Sequence, residues 1–523
     1  MGQTSKFCQS EREVGSNEES KFSFSRCFFV SFHFHFFGAG SGTQNVILLI
    51  GDGMGPQAVG LAIYYNLFMN GSGKPLNLER MMAAGNTGYC LTYQYGTVVT
   101  DSASAATALA SGVKTRDAII GKDHDGRTMK SLADIALQGK KSVGIISNTR
   151  MTHATPAAFY AHVVHRDMEN EIASQLLERA DIQVAFAGGA QHFVPAGTKV
   201  EEHPDLKGIS KSAGWGKSGR KDNKDLIAEA KGKGFAFVAN YQELSALDVQ
   251  KTGKVLGLFS ASSFPSAIDR QAHHRTGVPT VFEMTEKALG ILKKNSQGFF
   301  LMVEGGQIDH VAHGNDVASV LHEMIEFDQA IGLAMSFAEA NPDTLLIVTA
   351  DHDTGGLAIA YSNYNPPAPV KLKSGETWRT KYNFAEMGIF EKIAKQKKSF
   401  MKMALDSKGN PAALRQEVEE NSAFTLTQEQ AERILSLDPQ RGSPKPREAE
   451  ELSLYGQNNP VAMMGRLFGK EMNTAWAVGT HTHTPVMIFG KGPRAERFRG
   501  LIDNTWVPQI IAQGWGAVLP APK

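Results

Sequence analysis

Hydrophobic residues in this chain fall into short unbroken runs that repeatedly stop on glycine, carboxylate or histidine. The clearest are Asn45–Ile50, Val143–Asn148, Asp181–Gly189, Val255–Phe259, Phe299–Val303 and Thr344–Thr349, with a further apolar strand expected around Val486–Phe489. A run that is apolar on successive residues presents hydrophobic side chains to both faces, which suits the interior of a parallel sheet covered on both sides. Helical spacing separates the runs: Pro279–Leu292 is amphipathic, and Ala103–Ser111 is almost entirely small residues with Gly112 placed to end a helix. Alternation of this kind predicts an α/β fold built on one large, mostly parallel sheet.

Polar residues that follow the runs are the chemically interesting ones, because ligands of open parallel sheets bind beyond the carboxyl ends of the strands. Asp52 follows the first run in Gly51-Asp-Gly-Met-Gly55. His153 and Thr155 lie just past Val143–Asn148, Glu304 closes Phe299–Val303, and Asp351-His352 follow Thr344–Thr349. Asp309 and His313 stand four apart, so one helical turn sets a carboxylate and an imidazole side by side, a pairing suited to zinc. Either His481 or His483 could supply a third ligand, and spacing leaves that choice open. Thr155 offers a hydroxyl for a harder ion such as magnesium, while His153 suits water held by that ion. Ser102 begins the small-residue helix, with Asp101 or Ser102 as its cap; the free N–H groups there suit an anion. A serine in that position becomes a nucleophile only if something lowers the pKa of its hydroxyl. Arg166 lies beyond the third strand and suits bidentate contact with phosphate oxygens.

Two stretches break the pattern. Residues 1–44 run from a polar start into the aromatic series Cys27–Phe37 and then Gly38-Ala-Gly-Ser-Gly42, an atypical segment that resembles an export signal and is too short to span a bilayer. Export to the periplasm or the outside is the expectation that follows. Residues 361–474 carry a basic run at Lys392–Lys398 and polar helical segments, and are expected to form a cap or lid inserted into a single catalytic domain over 45–523.

Composition adds mainly exclusions. The 523 residues carry a formal net charge of +1, which provides no basic footprint for nucleic acid. Three cysteines rule out a disulfide scaffold.

Taken together, the motifs Gly51–Gly55, Thr100-Asp-Ser-Ala103, Thr152-His-Ala-Thr155, Val303–His310, Ala350-Asp-His-Asp-Thr-Gly355 and His481-Thr-His-Thr-Pro-Val486 closely resemble the alkaline phosphatase family, in the family's order. The resemblance implies a three-layer α/β sandwich and a phosphomonoesterase that works through a phosphoserine at a site holding two zinc ions and one magnesium. It implies Ser102 as nucleophile, Arg166 as phosphate clamp, Asp309, His313 and His481 at one zinc, and Asp52, Asp351 and His352 at the other. Asp52, Thr155 and Glu304 would hold magnesium. His481 is favoured over His483 by its distance to Gly492-Pro493, and His153 with His310 marks the subgroup that carries histidine at both places. A homodimer is also implied. The rival expectations are a related metal-dependent phosphodiesterase and an inactive phosphate-binding metalloprotein.

Overall fold

The computed structural model describes residues 42–179, 181–209, 216–272, 277–436 and 460–519. Residues 1–41 of the export-like N-terminal segment therefore lie outside the described residues. Ten strands form one sheet: β1 (Asn45–Gly51), β2 (Thr87–Leu91), β3 (Ser142–Arg150), β4 (Val184–Gly188), β5 (Ala236–Val238), β6 (Val255–Leu258), β7 (Phe299–Gly305), β8 (Thr344–Ala350), β9 (Val486–Lys491) and β10 (Gly500–Asp503). Their spatial order is β10-β2-β9-β8-β1-β7-β3-β4-β6-β5. Every pairing is parallel except those of β9, which runs against both β8 and β2. Helices surround the sheet, and every residue of β1, β7 and β8 is buried. This is the mostly parallel α/β architecture that the unbroken apolar runs require.

Register brings the chemistry to one edge. Ile50 pairs with Glu304 on one side and Thr349 on the other, while Ser147 pairs with Glu304 from β3. The residues just after these positions, Asp52 and Asp351, consequently leave the sheet side by side. β9 matters because its direction is reversed: its start, not its end, lies at the edge where the parallel strands finish, and His481 is carried there from the sequence before it. A two-residue ladder then pairs His481 with Thr354 and Thr482 with Asp353.

The late segment does not float free of the core. Its helices Gly388–Ala394, Phe400–Asp406 and Pro411–Asn421 bury Ile389, Phe390, Phe400, Met403, Leu414 and Val418 within the main hydrophobic cluster. Two buried carboxylates of the body tie it down: Asp269 accepts from the Ser399 N–H at 2.8 Å, and Asp316 accepts from the Phe400 N–H at 2.8 Å. By contrast Tyr361, Trp378 and Phe384, on or beside its small hairpin, are exposed. Among the described residues no helix is long and apolar enough to cross a membrane.

Candidate metal and phosphate site

Ser102 is the first residue of a ten-residue helix, Ser102–Ser111, whose side chains are all buried. Asp101, not Ser102, caps it: the Asp101 carboxylate accepts from the Ser104 N–H at 2.9 Å, and Gly112 ends the helix in the left-handed conformation with φ 77°. The Ser102 hydroxyl is thus left free for other work, 3.1 Å from His352 Nε2. The helix can press against its neighbours because its side chains are small.

Around that nucleophile position the site residues gather in three overlapping groups. Ligand atoms of Asp52, Asp351 and His352 lie within 4.8 Å of one another, as do those of Asp309, His352 and His481, and those of Asp52, His153 and Glu304. Asp52 and His352 belong to two groups each. His313 sits at the outer side of this arrangement, with Nε2 3.3 Å from Asp309 Oδ2, so the helix Gln307–His313 does bring the i, i+4 pair together. His481 Nε2 is 3.5 Å from Asp309 Oδ1, whereas His483 is exposed. Thr155 is fully buried beside these groups, on the short helix Ala154–Ala157. Gly53, at φ 70°, makes the close approach possible: a Cβ there would lie 3.0 Å from Asp309 backbone and 2.7 Å from the Thr354 hydroxyl.

Several buried polar atoms here have no hydrogen-bond partner: both carboxylate oxygens of Asp52, Glu304 Oε1, Asp351 Oδ2 and His153 Nδ1. Leaving so many acceptors unpaired in one place is costly for a protein interior. Burial, aided by the surrounding carboxylates, pushes Asp52 well above the usual carboxylate range and raises Glu304 and Asp351 to about 7. Burial lowers His153 and His352 well below ordinary histidine, with Arg166 next in importance for the former and His481 for the latter. His310, whose ring meets that of His153 edge-on at 5.3 Å, falls to about 4 for the same first reason. His313 is the exception: burial opposes its charge but the Asp309 carboxylate outweighs it, raising the imidazole to about 9. Buried carboxylates that repel one another beside neutral imidazoles form a donor set complementary to divalent cations.

Arg166 lies at the mouth of this cluster, donating from Nη1 to Asp101 Oδ2 at 3.2 Å, with Nη2 3.0 Å from His153 Nε2. Its side chain is about a quarter exposed, at 23%. All the site residues singled out from the sequence therefore stand at one end of the sheet. Some supporting residues escape a linear reading. Ser147 and Thr149 both donate to Glu304 Oε2, Asp101 anchors Arg166, and Asn148 Oδ1 accepts from the Gly306 and Gln307 N–H groups. One usable signal existed for Ser147, a polar residue inside an apolar strand at the register of Glu304.

Comparison with known proteins assigns the chain to a family. The alkaline phosphatase family model matches residues 43–515. The chain belongs to the alkaline phosphatase family. Alkaline phosphatase 4 of Bacillus subtilis strain 168 is 32% identical over 478 residues, covering 90% of this chain and 88% of that protein. The tissue-nonspecific isozyme of Mus musculus is 35% identical over 501 residues, covering 90% and 83%. Among solved structures, the alkaline phosphatase of Thermus thermophilus superposes with a TM-score of 0.76 at 27% identity, covering 92% of this chain and 93% of that one. Family membership and the candidate metal groups thus rest on separate observations.

Proposed function

We propose that this member of the alkaline phosphatase family hydrolyses phosphate monoesters through a phosphoserine on Ser102, at a site that binds two zinc ions and one magnesium. The observation that carries the reading is the set of unpaired buried carboxylate oxygens on Asp52 and Asp351, grouped with the Ser102 hydroxyl's neighbour His352, and on Glu304, grouped with Asp52 and His153. Asp309, His313 and His481 would hold one zinc, and Asp52, Asp351 and His352 the other. Asp52, Thr155 and Glu304 would hold magnesium, with His153 bordering that ion. When bound, such ions supply Lewis acidity that lowers the pKa of the serine hydroxyl and stabilises negative charge on the leaving oxygen.

The chain's own groups account for the remaining chemistry. Ser102 Oγ attacks phosphorus as the bond to the leaving alcohol breaks, and water then attacks the phosphoserine to release inorganic phosphate and regenerate the serine. Arg166 is free to offer its guanidinium edge to the non-bridging oxygens because Asp101 steadies one nitrogen. The start of the Ser102 helix adds N–H donors at the same place. A monoester, with its extra anionic oxygen, makes better use of this clamp than a diester. A homodimeric assembly, supported by family resemblance, belongs to the same proposal, as do export to the periplasm or outside, supported by the export-like residues 1–44, and a cap or lid role of residues 361–474, supported by their change in composition.

Turnover of a chromogenic phosphate monoester against a matching diester, by metal-replete protein, chelated protein and Ser102→Ala, tests the reading. Monoester activity that rises above neutral pH, disappears on chelation and is absent from Ser102→Ala is expected. Preference for the diester would favour the phosphodiesterase rival. Metal and phosphate binding without turnover would favour the inactive binder.

A further inference from the structure

Each imidazole around the two proposed zinc positions has a partner at Nδ1. For His313 it is the Gly479 carbonyl at 2.8 Å, and for His481 the Thr100 carbonyl at 2.8 Å. Carbonyls only accept, so these rings carry a proton on Nδ1 and turn Nε2, the atom left to ligate a cation, toward the site. His352 differs. Its Nδ1 faces a hydroxyl, Thr354 Oγ1, at 3.2 Å.

That hydroxyl has a single proton and a second partner, Asp309 Oδ1, at 2.6 Å. An ionised carboxylate can only accept, so the Thr354 proton points to Asp309 and the oxygen's lone pair receives the His352 Nδ1–H. His352 Nε2 is thereby left unprotonated, facing Asp52 Oδ1 at 3.3 Å, Asp351 Oδ2 at 3.2 Å and the Ser102 hydroxyl at 3.1 Å. Thr354 is 3% exposed, and its backbone is paired with His481 across the two-residue ladder. One residue therefore touches or pairs with Asp309, His352 and His481, whose ligand atoms cluster as one group.

We propose that Thr354 is a positioning residue that sets the tautomer of His352 and clamps Asp309, so that the two zinc positions are assembled as one unit. This rests on the metal-binding reading above. Valine has the shape of threonine without the hydroxyl, and serine keeps the hydroxyl without the methyl group. Chelator-competition titration of zinc is the primary measurement, on wild type, Thr354→Val and Thr354→Ser. Losing a partner of this kind weakens metal binding by about 10- to 100-fold, which is expected for Thr354→Val, with Thr354→Ser recovering most of the loss. A merely structural role would lower the melting temperature of metal-free Thr354→Val while leaving its zinc affinity at the wild-type value, and that result would overturn the proposal. Failure of serine to recover affinity would do the same. Should the valine variant not fold, histidine nitrogen NMR of the wild-type protein still decides: a proton on His352 Nδ1 supports the proposal and a proton on Nε2 overturns it. Wild-type protein that binds no zinc would instead remove the metal-binding reading itself.

Discussion

The unpaired carboxylates predict an unusual pH dependence for the metal-free protein. With no cation present, Asp351 is raised from 3.8 to about 7 and Glu304 from 4.5 to about 7, in both cases by burial first. A tenfold change in proton affinity corresponds to about 1.4 kcal/mol, so forcing these groups to ionise costs about 4 and about 3 kcal/mol. A raised folded-state value favours folding below the unfolded pKa, and that advantage is lost as pH climbs through 7. These two carboxylates alone should therefore cost metal-free protein about 5 kcal/mol of stability between pH 5 and pH 8, a loss that His153, His352 and His310, held neutral by burial, offset in part below the ordinary histidine pKa of about 6.5. For a body of this size the unfolding entropy is on the order of 1 kcal/mol per kelvin, so the melting temperature should drop by about 5 °C over that interval. Metal-replete protein should show a smaller decline, because bound cations favour the ionised carboxylates of the site while buried Glu323, raised to about 8 outside it, still responds to pH. Differential scanning calorimetry of both forms across the range makes the comparison, and metal-free Asp351→Asn should show roughly half the decline. A metal-free melting temperature that stays flat or rises from pH 5 to pH 8 would refute the reasoning.

Two other perturbations probe the surroundings. Arg166→Lys keeps the charge but loses the planar fork, and giving up one charge-assisted hydrogen bond of about 1.5–3 kcal/mol should cut kcat/KM for a monoester by about 10- to 100-fold while zinc content, measured by atomic emission, stays unchanged. Glu169 is held down to about 2: burial opposes ionisation, but the His192 hydrogen bond and Arg150 outweigh it, so its stabilisation of about 3 kcal/mol is present above pH 4.5 and lost as pH falls towards 2. Urea unfolding of metal-free protein should accordingly show Glu169→Gln well below wild type at pH 6 and nearly level with it at pH 2.5.

Individual residues show how far the linear chain can be read. Asp52, Glu304 and Asp351 are identifiable because each terminates an apolar run, and strands of a parallel sheet all end at one edge. Asp309 and His313 are identifiable because helical periodicity alone makes residues four apart neighbours. The choice between His481 and His483 is of another kind. Ladder pairing with Thr354 and the reversed direction of β9 turn the first inward and leave the second exposed. Thr354 itself stands in a quoted motif, yet its two contacts reach residues 45 positions and two positions away and follow from no period.

Fold class, family and candidate ligands are thus legible in the linear chain, since hydrophobic period and strand-end chemistry are properties of neighbours along it. Which oxygens remain unpaired, how Arg166 is steadied, and which hydroxyl joins Asp309 to His352 are not. Those facts depend on strand order, on register and on one antiparallel strand, which arise when distant segments pack together.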